Sequence, residues 1–454
     1  MHAPVSPQAR MAPKGLSWFA IARIGLVQAS LGAMVMLTTT VLNRIMIVEY
    51  GLMAAIPAGL VGWHYAVQLS RPIWGHGSDK GANRGLWIFG GLAVLAIGAL
   101  MAVYATTLAG TSMGLTIALG IVAYAIIGIG VGAGGTSALA LLASGVAPER
   151  RAAAAAVTWI MMIAGIATSA IITGPFLDPF GPERLIRVAS VLVVICLTVT
   201  ALAVFRIEPR SSIEFEADKT KGAPPDFVTA IKEIFAETAA RRFTIFIFVA
   251  MMAYNMQDLI LEPFAGIVFG MTPGESTSLG GMQNAGALVG MILAGIGGSA
   301  FAGRMPVELK HWIAVGCIGA ALALGGLAMG AMVGPRWPIH ANVMAFGFFA
   351  GIFTVAAIGA MMGLAGAGEK TREGVRMGVW GASQAIAFGL GGFVGALGRD
   401  VAKQAFGDDG RAFQLVFASE AALFVIAALL AWRATATTAP KPLSNHNQEK
   451  EVFV

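Results

Sequence analysis

Apolar residues run in long, almost unbroken stretches along this chain, and short polar clusters cut them into spans of similar length. The breaks predict helices over 20–42, 52–74, 85–108, 114–143, 152–174, 185–205, 243–270, 277–300, 311–333, 339–363, 376–398 and 412–432. Crossing a bilayer takes about 20 apolar residues in helical form, and these spans reach that length. Lipid offers no water to satisfy a bare backbone, so continuous helices are the expected solution. The predicted fold class is an all-α membrane protein with twelve transmembrane helices.

The longest polar stretch, 206–242, falls between the sixth and seventh spans and carries Pro209, Pro224 and Pro225 among mixed charges. It divides the chain into an amino-terminal segment 1–19, a six-helix bundle 20–205, a tethering loop 206–242, a second six-helix bundle 243–432 and a polar tail 433–454. Within the loop, Phe227, Ile231, Ile234 and Phe235 fall at helical spacing, which suits a helix lying on the membrane surface. Residues 1–17 hold Pro4, Pro7 and Pro13 with Arg10 and Lys14, and lack the apolar centre of a signal peptide. The halves look duplicated. At an offset of 219, Gly51, Leu60, Gly62, Ala66 and Leu69 match Gly270, Leu279, Gly281, Ala285 and Leu288. At an offset of 221, Arg151, Trp159 and Gly174 match Arg372, Trp380 and Gly395. Two six-helix repeats around a central loop is the architecture of the major facilitator superfamily.

Composition supports this reading and excludes others. The chain is 57% hydrophobic and 12% charged, with mean hydropathy +0.76. A soluble domain is nearer about a quarter charged, so that class is ruled out. Its 59 glycines suit close helix packing in lipid. Cys196 and Cys317 sit in separate apolar runs, as small core residues rather than a disulfide framework or a metal cage. The net charge of +6 is spread through the loops, which argues against nucleic acid as a partner. Arg10, Lys14, Arg71, Lys80, Arg84, Arg150 and Arg151, with the bases of the central loop, share one side. The other side has Arg44, Arg184, Arg187, Arg336, Arg399, Lys403 and Arg411. Cytoplasmic loops collect the excess of Lys and Arg, so both termini are expected in the cytoplasm.

Several motifs invite a functional reading. The loop after the second span holds Gly75, Asp79, Lys80 and Arg84, and resembles the facilitator signature between helices 2 and 3. It departs from that signature at Ala82 and Asn83. Gly130 to Gly135 spells G-x-G-x-x-G, but no strand precedes it, so it is read as a packing surface. Gly165 and Gly174-Pro175 resemble the antiporter motif, although Phe176-Leu177 replaces the glycine pair that follows.

Polar groups at membrane depth are costly unless partnered, and so carry more information. His64, Gln68 and Arg71 fall on one helical face, with His64 near mid-membrane. An imidazole there ligates a magnesium macrocycle, bonds a neighbouring helix or carries protons. Asn255, Asp258 and Glu262 share a face of the seventh span, flanked by Tyr254 and Gln257, and Pro263 is expected to kink it and free a carbonyl. Two carboxylates one turn apart in a low dielectric repel, so at least one is expected to be protonated or paired with a cation. Arg44, near the end of the first span with Glu49, is the candidate, with Glu262 as its mate. Glu420, mid-helix in the last span, is a further buried acid.

The strings Leu42-Asn43-Arg44-Ile45-Met46-Ile47-Val48-Glu49-Tyr50-Gly51-Leu52, His64-Tyr65-Ala66-Val67-Gln68, Arg71-Pro72-Ile73-Trp74-Gly75-His76-Gly77-Ser78-Asp79 and Gln257-Asp258-Leu259-Ile260-Leu261-Glu262-Pro263-Phe264 resemble the PucC/LhaA proteins. These form the bacteriochlorophyll-delivery branch of the major facilitator superfamily in phototrophic bacteria. The resemblance implies a non-enzymatic factor in the cytoplasmic membrane that assembles light-harvesting antenna complexes. Its cargo would be bacteriochlorophyll or the antenna polypeptides. No ligand set is taken from the family, and assigning His64 to the magnesium of the pigment rests on depth and face alone. Two rivals remain: a proton-coupled exporter of a small amphipathic solute using Asp258 and Glu262, and a chaperone that holds antenna helices on its outer surface.

Overall fold

The computed structural model describes residues 15–71, 73–74, 83–146, 150–207, 236, 238–300, 309–366 and 373–435. All regular structure among them is helical. In chain order the helices are α1 (Trp18–Val48), α2 (Ala55–Val67), α3 (Arg84–Thr107), α4 (Met113–Gly145), α5 (Arg151–Thr173) and α6 (Pro182–Val204). They continue with α7 (Thr238–Phe269), α8 (Pro273–Ala300), α9 (Leu309–Val333), α10 (Ile339–Gly366), α11 (Glu373–Phe406) and α12 (Asp409–Thr435). Among the described residues, 10 helices are long and apolar enough to cross a membrane, all but α2 and α11. Gly75, Asp79 and Lys80, the expected surface-helix residues Phe227, Ile231, Ile234 and Phe235, and the tail beyond 435 lie outside the described residues.

Helix starts follow local chemistry. Ser17 accepts from the Ala20 amide at 3.2 Å and Asn83 from the Leu86 amide at 3.1 Å, each satisfying an orphan donor of the first turn. Thr272 and Glu275 form a reciprocal capping box at α8 (2.9 and 3.2 Å). Past the ends of α1 and α7, Gly51 and Gly270 adopt φ of +68° and +67°, a conformation that glycine takes without strain. These two glycines are the pair matched at the 219 offset. Helix α1 contains a π turn over Leu37–Val41, where the Thr39 and Thr40 hydroxyls back-bond to carbonyls one turn earlier (2.9 and 2.8 Å).

One core gathers the first half around Leu42, Ile45, Leu92, Leu95, Tyr124 and Ile127. A second, aromatic core gathers Phe246, Phe264, Phe346, Phe353, Phe417 and Phe424. Within the halves α3 packs on α4, α1 on α5, α8 on α10, α9 on α12 and α7 on α11. Between the halves α5 meets α8, α2 meets α11 and α1 meets α7. The glycine-rich face of α4 is such a packing surface: a Cβ on Gly130 would stand 2.4 Å from the Leu95 amide of α3. Large apolar side chains such as Phe19, Ile172, Val194, Leu202 and Leu322 face outward, as lipid permits.

Several helices outrun their hydropathic spans. α11 continues through Arg399, Asp400 and Lys403 to Phe406, where apolarity predicts an end at 398. α7 begins at Thr238, before the predicted 243. Polarity marks where lipid ends, whereas the helix ends where its hydrogen-bond ladder stops. The end of the bundle where α1 meets α2 and α7 meets α8 is called the distal end.

Candidate functional site: a polar cavity between the halves

A cavity of about 200 Å³ lies between the halves. Thr39 and Thr40 of α1 face it, with Tyr65 of α2, Trp159 and Met162 of α5, and Tyr254, Asn255, Asp258 and Glu262 of α7. Gln283 and Asn284 of α8, Thr354 of α10, and Gln384 and Phe388 of α11 complete the polar and aromatic lining. Helical spacing places Asn255, Asp258 and Glu262 on one stripe, so a single face of α7 supplies both acids.

Each member of the stripe is held differently. Glu262 is 4% exposed, and the Thr277 hydroxyl donates to its Oε2 at 3.5 Å. A Cβ on Gly280 would stand 3.1 Å from its Oε1, so α8 comes close because it carries glycine there. Asn255 donates to the Phe388 carbonyl and ties α7 to α11. Gln257 and Gln283 exchange amide bonds of 2.9 and 3.2 Å between α7 and α8. Asp258 is only part-buried and faces the cavity beside Tyr65 and Tyr254. Among the described residues neither Asp258 nor Glu262 has an ion pair.

The expected Arg44–Glu262 pair is not formed. Arg44 is 1% exposed, forms its ion pair with Glu49 five residues on, and donates to the Met271 carbonyl at 2.7 Å. Glu49 is close in sequence, and the chain leaving α7 presents a carbonyl to the same guanidinium. The link from Arg44 to the α7 side therefore runs through backbone, and Glu262 is left to the Thr277 hydroxyl.

Helix α2 and the turn that follows it hold their polar residues among themselves. Arg71 donates to Gln68 Oε1, and Gln68 Nε2 lies 2.8 Å from His64 Nε2. His64 is 1% exposed, its Nδ1 has no partner, and it does not line the cavity. An axial bond to magnesium through Nε2 would displace the Gln68 bond, and one through Nδ1 would require uncovering a buried ring. This arrangement suits a histidine that packs α2. Arg84 sits at the start of α3 with its guanidinium 3.5 Å from the Ala140 carbonyl of α4. Thr39, Thr40, Gln283, Asn284 and Gln384 are lining residues that sequence reasoning passed over, and the Thr38-Thr39-Thr40 run was the available signal. Among the described residues no group of three His, Cys, Asp or Glu side chains is placed to hold a metal.

Comparison with known proteins adds to this geometry. The family model described as PUCC protein matches residues 41–439. The "Bacteriochlorophyll synthase 44.5 kDa chain" of Rhodobacter capsulatus is 48% identical over 417 residues, covering 92% of this chain and 95% of the relative. Protein PucC of the same organism is 27% identical over 449 residues, covering 94% of each. Among solved structures, an inward-facing, unoccupied bacterial homologue of the lysosomal transporter Spinster aligns with TM-score 0.66 at 17% identity, over 92% of this chain and 97% of that one. The nucleoside transporter NupG aligns with TM-score 0.64 at 12% identity, over 92% and 100%. At such identities the likeness concerns the fold alone, which this chain shares with those two transporters.

Proposed function

This chain belongs to the PUCC protein family, and we propose on that premise that it is an assembly factor for bacterial light-harvesting antenna complexes. The observation that carries the reading is the 48% match along almost the whole of a relative named for bacteriochlorophyll. In this reading the protein delivers bacteriochlorophyll or shepherds the antenna polypeptides. It does so as a twelve-span, two-repeat facilitator in the bacterial cytoplasmic membrane, with both termini in the cytoplasm. That relative's name includes the word synthase; we read the present chain as a handler of pigment rather than its catalyst.

The cavity supports a particular version of this role. Sites that enclose drug-sized ligands span about 300–1,000 Å³. At about 200 Å³, the cavity holds less than a tetrapyrrole with its tail. Pigment or an antenna helix would therefore meet the protein as the halves part, against the aromatic and methionine wall of Tyr65, Trp159, Met162 and Phe388. A second reading, proton-coupled export of a small amphipathic solute, is favoured by Asp258 and Glu262, which face the cavity with no cation paired to them among the described residues.

Purification from a phototrophic host in mild detergent, followed by near-infrared absorption and identification of bound polypeptides, tests the proposal. Bacteriochlorophyll or antenna polypeptide at near-stoichiometric ratio is expected. A preparation free of both, with solute transport that collapses with the proton gradient, would establish the exporter instead.

A further inference from the structure

Two carboxylates, one from each half, cap a helix of the opposite half, and the geometry points to a reciprocal latch that holds the distal end shut. Asp400, near the end of α11, accepts the amide of Ala55, the first residue of α2, at 2.8 Å. Asp178, which follows α5, accepts the amide of Gly274 in the first turn of α8 at 3.0 Å and the Thr272 hydroxyl at 2.6 Å. Ala55 and Gly274 stand at the same 219 offset that relates Gly51 to Gly270. Each half thus offers an equivalent helix start, and each receives its carboxylate from the other half.

The physical logic is the same on both sides. The first amides of a helix have no partner within it, and the positive end of the helix dipole favours an anion. The residue before α2, Ala54, supplies no side-chain cap, so the carboxylate from α11 does that work. Asp400 is 9% exposed, and its other oxygen takes the Arg399 guanidinium at 3.0 Å, which also pairs with Asp409. On the second side the fit is close: a Cβ on Gly274 would stand 2.3 Å from Asp178 Oδ2 and 2.4 Å from the Gly174 carbonyl. The two caps sit on the two seams between halves, α2 against α11 and α5 against α8. A charge-assisted bond to a helix start is strong when formed and directional, so parting the halves by more than about an ångström breaks it. Opening the distal end requires release of both caps, and one intact cap holds the end closed. This does not depend on what the cargo is.

Double electron–electron resonance on the full chain in lipid nanodiscs tests the latch. Spin labels go on Thr111→Cys and Arg336→Cys, which are exposed in the α3–α4 and α9–α10 connections at the distal end. The native Cys196 and Cys317 are both buried. Asp178→Ala with Asp400→Ala should add a longer-distance component that neither single variant shows to the same extent. Asp178→Asn with Asp400→Asn should shift the distribution less than the double alanine variant, because one amide oxygen still caps each helix start while the charge is lost. Gly274→Ala, which wedges one cap without removing a carboxylate, should shift the distribution towards the longer component when combined with Asp400→Ala. A double alanine variant with the parent distribution overturns the latch. If that variant does not fold, the parent distribution in Gly274→Ala with Asp400→Ala overturns it equally.

Discussion

Asn43 Nδ2 donates to the carbonyl oxygen of Leu259 at 2.6 Å, across the contact between α1 and α7. That carbonyl lies four residues before Pro263, whose ring nitrogen has no hydrogen to give it. A helix from one half therefore supplies the bond that proline withholds from a helix of the other, one turn from the carboxylates of the cavity. Asn43 is fully buried, and water has no access to replace it.

Asn43→Ala should destabilise the protein by about 1–3 kcal/mol, the cost of leaving a buried carbonyl unmet. Pro263→Ala restores the in-helix donor, so Asn43→Ala with Pro263→Ala should recover much of that loss. Thermal unfolding in one detergent measures the cycle. Strict additivity of the two substitutions would show that the bond across the halves has no such role.

Arg44→Ala should cost roughly 1.5–3 kcal/mol, because it strands both Glu49 and the Met271 carbonyl. Glu49→Gln should lessen the effect of Arg44→Ala, whereas Glu262→Gln should not. A double-mutant cycle on unfolding temperature separates the two cases, and coupling of Arg44 to Glu262 alone would contradict the pairing described here.

Glu262→Gln should be milder than Glu262→Ala, since the amide still engages Thr277 while alanine enlarges the cavity. Antenna assembly in cells expressing each variant at equal level reads this order. Equal and complete loss in both would mean that ionisation is required, which favours proton coupling.

His64→Phe should lower stability but leave the ratio of pigment to folded protein unchanged, because the ring is buried and bonded to Gln68. Near-infrared absorption of the purified protein, normalised to protein, gives that ratio. A drop in pigment at constant folding would restore His64 as a magnesium ligand.

What could be read from the chain depended on the range of the interaction. Apolar runs locate helices because lipid burial acts on every residue of a span, yet Arg399, Asp400 and Lys403 continue α11 where hydropathy ends. Asn255, Asp258 and Glu262 were legible because helical spacing puts them on one face, and Pro263 announced a free carbonyl without naming its donor. Thr39 and Thr40 were missed: threonine in an apolar run looks neutral, and the π turn that aims them has no simple periodic signature. Arg44 had two acids within plausible reach, and the choice between them depends on packing. Asp178 and Asp400 could not be read as caps, because their partners are backbone amides 96 and 345 residues away.

Deletion of the gene in a phototrophic host, followed by the absorption spectrum of its membranes, tests the proposed assembly role most directly. A selective fall in the bands of one antenna complex is expected while bacteriochlorophyll synthesis continues. Unchanged antenna bands, or loss of all bacteriochlorophyll, would contradict it.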